Sequence, residues 1–523
     1  MSLDEKFLEL LVPKNVVDVF EQLKRDKTDI VPSIKVEELV DENDKKIKHK
    51  VLVNKIEIAV GCDGIGHMQF EREISRHSSY ICDKGKKSTY QFRPFKEIHT
   101  AKPPYGKGKD ELKKAEKEGK IRTLSISTIR DTIFQKLLAK VVSEYAEKIF
   151  KAQIDLNSYG YRDGKSSKDA VKKIRRYVDE GYVYILDGDI KGFFDEINHD
   201  LLVEKMERFF IADNKLILRY LKRFIQVKKI PEGKSTAEKR DIGIPQGGVL
   251  SGLLANVFLF DFDLFVVNTL MKTYEFRYIR YADDFVLMFK APEMLDCVFN
   301  KLVTFLNNEK LKLHPLRPTT PDRKAKYSEM LDLSNAGRES LDFLGFEISK
   351  KFLRIKSDNI KKFSKRISKT LSDIKVFNFD SDDAHNAYFN LVVARINKKI
   401  TALEETIDHE NGSCPSCKKL LPKRSWIGYF MMAKDVRQLR DIDTMIRTTI
   451  YRDYRKRTHG RHLDKELLLK RIMGIKFVTD SYYEYRSQMR EYKRNHGKIE
   501  YCQNKKRYYD HHMKKIVIQP PCE

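Results

Sequence analysis

Two adjacent carboxylates, Asp283 and Asp284, sit inside the largely apolar and aromatic stretch YIRYADDFVLMF, residues 278–289. The run predicts a buried β-hairpin with Ala282-Asp283-Asp284 at its turn. Carboxylates beside a core are costly unless a cation offsets them. Upstream, LDGDIKGFFDEI (186–197) carries Asp187, Asp189 and Asp195. On a strand Asp187 and Asp189 share a face, with Asp195 farther on. Two such strands laid side by side gather the oxygen ligands that hard divalent cations prefer. Two cations about 4 Å apart can activate an attacking hydroxyl and stabilise a departing pyrophosphate. The aspartates are therefore expected to hold Mg²⁺; the plainer alternative is a turn Asp-Asp that merely ends a hairpin.

Several elements must position these groups. GYVYILDGDI (181–190) reads as a strand feeding a helix, and GIPQGGVLSGLLANVFLFDFDLF (243–265) as a Gly-rich loop that becomes a long apolar helix. From Asp131 to Phe150 the apolar residues Ile133, Leu137, Val141, Tyr145 and Ile149 recur at helical spacing. DFLGFEIS (342–349) alternates like a hairpin strand. Residues 357–377 predict a helix capped by Ser357 or Asp358, with Ile360, Phe363, Ile367, Leu371 and Ile374 on one stripe. EELVDENDKKIKHK (37–50) is expected to be a polar loop, and KPPYGKGKDELKKAEKEGK (102–120) an exposed connection. No internal repeat is visible.

At 523 residues the chain has room for two or three domains, and 41% apolar residues suffice for real cores. Lys and Arg number 102 against 76 Asp and Glu, a net charge of +26. That excess suits a polyanion, nucleic acid first and an anionic membrane second. No uninterrupted apolar run of membrane-spanning length is seen, and MSLDEKFLEL lacks the pattern of a signal peptide. The 7 Cys, mostly isolated, fit a reducing cytoplasm better than a disulfide framework.

YADD resembles the Y-x-D-D motif of reverse transcriptases, and further segments resemble the same enzymes in the same order. RTLSISTIRDTIFQ (122–135) is similar to the first fingers motif of group II intron-like members, and SYGYRDGKSSKDAV (158–171) to their S-Y-G-F-R-P-G-R-S motif. GDIKGFFDEINHDLL (188–202) resembles the palm motif with the first catalytic aspartate, GIPQGGVLSGLLANV (243–257) the dNTP-pocket motif, and DFLGFEIS the primer-grip hairpin. SWIGYFMMAKDVRQLRDIDTMIRTTIY (425–451) is similar to a maturase-type thumb. The resemblance implies that Asp189, rather than Asp187, is the first metal ligand, with the Ile190 carbonyl beside it and Asp283 and Asp284 completing the set around two Mg²⁺. It implies that Arg162 and Lys165 meet the triphosphate, that Gln246 and Gly247 line the nucleotide pocket, and that Phe194 contacts the sugar. The chain departs from the pattern at Ser251-Gly252, where members carry S-P. Where a lysine often protonates pyrophosphate the chain offers Arg317, a poor proton donor; His314 and Lys324 are substitutes, and the role stays unassigned.

CPSC (414–417), with His409 nearby, is half a zinc site, and an inserted loop with free thiols is the competing reading. Tyr483, Tyr508 and Tyr509 lie in a basic tail that is either a base-stacking platform or a solvated helix. The tail looks too short for the endonuclease domain some relatives carry. The expected fold is an α/β right hand: an N-terminal extension (1–95), fingers (96–180), palm (181–350), helical thumb with the CxxC loop (351–480) and a basic aromatic C-terminal tail (481–523). The expected function is RNA-directed DNA polymerisation from dNTPs on an RNA template, giving a cDNA. The resemblance points to a bacterial antiviral defence reverse transcriptase working in the cytoplasm with a noncoding RNA and no membrane. A group II intron maturase, or an RNA-binding scaffold with a vestigial site, is the alternative. A homo-oligomer is compatible with the sequence.

Overall fold

The computed structural model describes residues 1–40, 46–58, 61–102, 109–211, 214–318, 320, 326–335, 339–374, 379, 381–400, 426–460, 464–475, 477–484, 486 and 487. CPSC, Lys324, Tyr508 and Tyr509 lie outside them. The chain divides into two compact units. The first comprises Met1–Thr28, Ile58–Leu344 and Ile348–Lys351; the second Asp29–Glu57, Gly345–Glu347 and Phe352–Glu523.

In the first unit, helix α1 (Leu3–Leu10) starts with a capping box in which Ser2 and Glu5 satisfy each other's backbone N–H groups. It is followed by α2 (Pro13–Lys27). Phe7, Leu11, Val16 and Phe20 are fully buried. The Phe7 ring meets Phe134 edge-on at 5.7 Å. Asp4 accepts hydrogen bonds from the backbone N–H groups of Leu216 (2.8 Å) and Ile217 (2.9 Å), at the start of the helix Lys215–Ile225. Residues 1–28 and 58–95 are therefore not a separate extension: they share one core with the helices and strands after residue 95.

Strand β1 (Phe95–Ala101) pairs antiparallel with β2 (Ile121–Ile126) and parallel with the short strand Lys229–Ile230. Between β1 and β2, the expected connection contains a helix, Lys109–Lys117, whose two acidic residues in the first turn and lysines in the last suit the helix dipole. The expected polar loop at 37–50 instead runs into two paired strands, Thr28–Val40 and Lys46–Ile58. Charged residues alternate there with Val and Ile, a period-2 signal that its charge density hides.

Helix α3 (Ile129–Ile154) begins where the Thr128 hydroxyl accepts from the Asp131 N–H. Its buried face is wider than one stripe: Phe134, Leu138, Val142, Ala146 and Phe150 are buried beside Ile133, Leu137 and Val141. A four-stranded sheet follows, ordered β4 (Phe276–Tyr281), β5 (Asp284–Phe289), β3 (Tyr184–Asp189), β6 (Glu329–Asp332), every neighbour antiparallel. Helix α4 (Ser251–Phe258) opens an apolar helical stretch, Ser251–Thr273, that is long and apolar enough to cross a membrane, with mean hydropathy 1.7. Asp261 and Asp263 interrupt its apolar run, which is why no such span is visible in the sequence. Its most apolar window is 61% buried against the rest of the protein, as a core helix is.

In the second unit, α5 (Ser357–Ser372) buries Phe363, Ile367 and Leu371. Its N-cap is Lys356, not Ser357 or Asp358, which lie within the first turn. Helices α6 (Asp382–Ile400) and α7 (Val436–Arg457) lie in the same unit, the latter capped by Asp435. Arg457 ties them together: it donates to Asp453 at 2.7 Å and to the Leu371 carbonyl at 2.7 Å, and Tyr388 donates to the same Asp453.

Candidate active site

Pairing of β3 with β5 sets Asp189 directly opposite Asp284, with Gly188 opposite Phe285 and Asp187 opposite Val286. Tyr281 pairs with Asp284 across the hairpin, so Ala282 and Asp283 form its two-residue turn. Ala282 adopts φ +60°, a region in which a side chain costs on the order of 1 kcal/mol or more. A buried network holds it there. Fully buried Arg280 donates to the Ala282 carbonyl at 2.8 Å and to Asn256 Oδ1 at 2.9 Å. Arg280 also forms a two-pronged ion pair with fully buried Asp263, its Nε 2.8 Å from Oδ1, and Tyr278 donates to that same oxygen at 2.6 Å. Behind the turn lies Gly160; a Cβ there would collide with the Ala282 amide nitrogen. Gly188 is required in the same way, because the Phe285 ring fills the place of its Cβ.

The cluster is short of positive charge. Burial, reinforced by Asp283 and Asp189, pushes Asp284 up to about 7. Asp283 is raised by burial, with Asp189 adding to it. Asp187 rises to about 8 through burial and then the charges of Asp284, Glu329 and Asp189. Lys326 Nζ lies 2.6 Å from Asp189 Oδ2, and His314 Nε2 lies 3.2 Å from the same oxygen. Burial opposes the charge on Lys326, but its bond to Asp189 and the fields of Asp284 and Asp283 outweigh that and its pKa is raised. For His314 burial prevails and its pKa is lowered. Sequence reasoning missed Lys326, two residues beyond Lys324; Arg317 instead pairs with Glu329 at 2.6 Å.

Among the described residues no three His, Cys, Asp or Glu side chains are already gathered at metal-binding spacing. The donor set nevertheless fits a hard divalent cation: carboxylates on two adjacent strands, each raised or paired for want of positive charge. The Ile190 carbonyl is compatible with the role the resemblance implies. The bridge between Ile190 and Leu313 uses the Asp189 carbonyl and the Lys191 N–H on either side, at 3.0 and 2.8 Å.

Phe194 is half-buried, and its carbonyl accepts from the Ile244 N–H at 2.8 Å, docking the Gly-rich loop beside it. The Gln246 carbonyl accepts from Ser125 N–H at 2.7 Å. Gly247 takes φ +101°, which favours glycine. Arg162 and Lys165 are not free to meet a triphosphate. The Arg162 side chain is fully buried, bonding Glu147 with Nε at 3.1 Å and Nη2 at 2.7 Å and the Ser158 carbonyl at 3.1 Å. Lys165 Nζ lies 2.8 Å from the Asp155 carbonyl and carboxylate. Basic residues in a Gly-containing loop look alike in sequence whether they face a ligand or lock the loop. Besides Lys326, a second exposed base has a field that reaches Asp283: Arg122, the first residue of the fingers-like motif RTLSIS.

An antiparallel sheet thus presents paired aspartates at a hairpin turn, with a Gly-rich loop and an aromatic ring on neighbouring segments, the arrangement expected of a right-hand polymerase fold. Residues 112–348, a little under half of the chain, match the reverse transcriptase (RNA-dependent DNA polymerase) family. Protein YkfC of Escherichia coli K12 is 25% identical over 265 residues, 45% of this chain and 64% of YkfC. The group II intron-encoded protein LtrA of Lactococcus lactis is 30% identical over 187 residues, 36% of this chain and 28% of LtrA. The chain thus spans less than two thirds of the length of either. Apo telomerase from Candida tropicalis aligns over 80% of this chain and 71% of its own at 12% identity and a TM-score of 0.38, too loose to carry an argument.

Proposed function

We propose that the protein is an RNA-directed DNA polymerase that adds dNMP to a primer 3′-OH on an RNA template and releases pyrophosphate. The observation that carries this reading is the register pairing Asp189 with Asp284, with Asp283 on the adjoining turn. Asp189, Asp283 and Asp284, with the Ile190 carbonyl, would hold two Mg²⁺. Bound there, the ions supply Lewis-acid activation of the 3′-OH and charge neutralisation at the leaving group. The chain's own groups do the rest. Gln246 and Gly247 border the nucleotide, Phe194 bounds its sugar, and Arg122 takes the triphosphate-facing place expected of Arg162 and Lys165. The charge of +26 supports an RNA partner. The test is Mg²⁺-dependent dNTP incorporation on an RNA template: Asp189→Asn and Asp283→Asn should each abolish it without unfolding the protein or releasing RNA. Undiminished synthesis in either variant would sink the assignment.

For the biological role, the reading from sequence is bacterial antiviral defence with a noncoding RNA in the cytoplasm. Phage restriction lost with Asp284→Ala would support it. The similarity to an intron-encoded protein favours a second reading, assistance to a group II intron. Accelerated splicing of a flanking intron by the purified protein would decide for that one.

A further inference from the structure

We infer that Tyr161 is a specificity-positioning residue: its ring, seated in a slot that only glycine at position 252 leaves open, braces Phe194 against the nucleotide's sugar. The inference rests on the polymerase reading and goes beyond it. Tyr161 takes φ +54° and is 55% exposed, an unusual pairing of backbone strain with an uncovered ring. Such strain persists where the surroundings over-determine it. Here they do: Asn256 donates to the Gly160 carbonyl at 2.8 Å, the Tyr159 N–H bonds the Arg280 carbonyl at 2.9 Å, and Gly160 abuts Ala282. The segment before Tyr161 is thereby clamped between α4 and the aspartate turn.

The ring goes to one place. A Cβ built on Gly252 would lie 2.5 Å from both Tyr161 Cδ1 and Cγ, and 3.0 Å from its Cβ. Any side chain at 252, including the proline that family members carry after this serine, would displace the ring. On the other side the ring meets Phe194 edge-on, centroids 6.2 Å apart at 81°. Phe193 meets Phe194 from a second direction at 5.6 Å and 78°. Phe193 is buried and fixed, whereas Tyr161 is the solvent-side wall. The charges of Asp283 and Asp284 reach the Tyr161 hydroxyl. Gly160, next to Tyr161, abuts Ala282 at the aspartate turn, so the pair Tyr161–Phe194 lies beside the carboxylates, where a sugar must pass. Without Tyr161, Phe194 loses one of two walls and can tilt away from a 2′-OH.

The experiment is kcat/KM for one dNTP and the matching rNTP, on an RNA template with a DNA primer, in wild type, Tyr161→Ala, Tyr161→Phe, Gly252→Ala and Phe194→Ala. Tyr161→Ala should lower the dNTP:rNTP ratio by about three- to tenfold, the scale of one lost edge-to-face ring contact. Tyr161→Phe should preserve the ratio. Gly252→Ala should lower it as Tyr161→Ala does, and the double variant should lower it no further, since both act through one ring. Melting temperatures screen for misfolding, and Tyr161→Leu replaces the alanine variant if that fails to fold. A ratio unchanged by Tyr161→Ala or Tyr161→Leu while Phe194→Ala lowers it overturns the inference, as do fully additive effects at 161 and 252. Absence of dNTP incorporation by the wild type overturns the polymerase reading and this inference with it, and is seen before any variant is compared.

Discussion

Lys326 Nζ stands 2.6 Å from Asp189 Oδ2, so an ammonium group is, among the described residues, the nearest cation to the first of the three carboxylates proposed to bind metal. A cation at that spot and a divalent ion on the same carboxylate repel each other. Lys326→Met should therefore lower the Mg²⁺ concentration needed for half-maximal thermal stabilisation, by about threefold or more, whatever it does to turnover. A midpoint that stays put or rises in Lys326→Met would show that the ammonium does not compete for this carboxylate.

The ion pair beneath the turn makes a second prediction. Arg280 and Asp263 are both fully buried, and the guanidinium bonds Asp263, Asn256 and the Ala282 carbonyl together. Removing one partner leaves a buried charge unpaired, which costs about 3–5 kcal/mol. Arg280→Met should cost that much in chemical denaturation. Arg280→Lys should cost less in stability yet still reduce incorporation, because a point charge cannot hold a carboxylate and a carbonyl in one plane. A loss of under about 1 kcal/mol in Arg280→Met, the scale of an exposed pair, would make the pair incidental.

The raised carboxylates fix a pH dependence. Asp284 titrates at about 7 and Asp187 at about 8 in the folded chain, against about 4 unfolded. Below pH ~4 both states hold these protons and nothing is lost. As pH rises from there through about 8, the unfolded chain releases protons that the folded chain retains, so stability falls. In chelator, the melting temperature should drop between about pH 5 and pH 8.5, and added Mg²⁺ should restore most of the loss. A melting temperature that climbs steadily over this range in chelator would contradict the arrangement.

What the sequence reveals and what it hides divide along contact distance. The strand Tyr184–Asp189, the hairpin around Asp283 and the helix from Ile129 declare themselves through periodicity within one element. The partners of Arg162 and Lys165 do not. Glu147 and Asp155 lie within α3 or at its end, and whether a loop arginine turns toward them or toward a ligand depends on tertiary packing alone. Arg280 is likewise legible only with Asp263 in view, since a basic residue inside an apolar strand otherwise reads as exposed. Asp4 capping a helix more than two hundred residues away leaves no local trace. The Tyr161–Gly252 fit had a weak trace, the missing proline after Ser251, whose meaning needed the ring beside it.

Asp187 and Asp189 lie two residues apart on one strand face, and charge separates them where spacing does not. Asp189 faces Asp284 at the strand's end and draws Lys326 and His314. Asp187 lies one pleat deeper, opposite Val286 on one side and Glu329 on the other. Its pKa of about 8 leaves it mostly protonated at neutral pH. A protonated carboxyl and a carboxamide have nearly the same shape and the same charge, so Asp187→Asn should change little near neutral pH. It should retain most dNTP incorporation, and it should raise the melting temperature above about pH 8, where wild-type Asp187 must begin to ionise. Asp189→Asn removes a carboxylate proposed to bind metal and should reduce incorporation by about a hundredfold or more. The measurement is incorporation rate and melting temperature for both variants at about pH 7 and about pH 8.5, on either side of the Asp187 titration. Equal loss of activity at the two positions would mean that Asp187 carries a charge the mechanism needs, and the choice of Asp189 over Asp187 as the metal-binding carboxylate would fall.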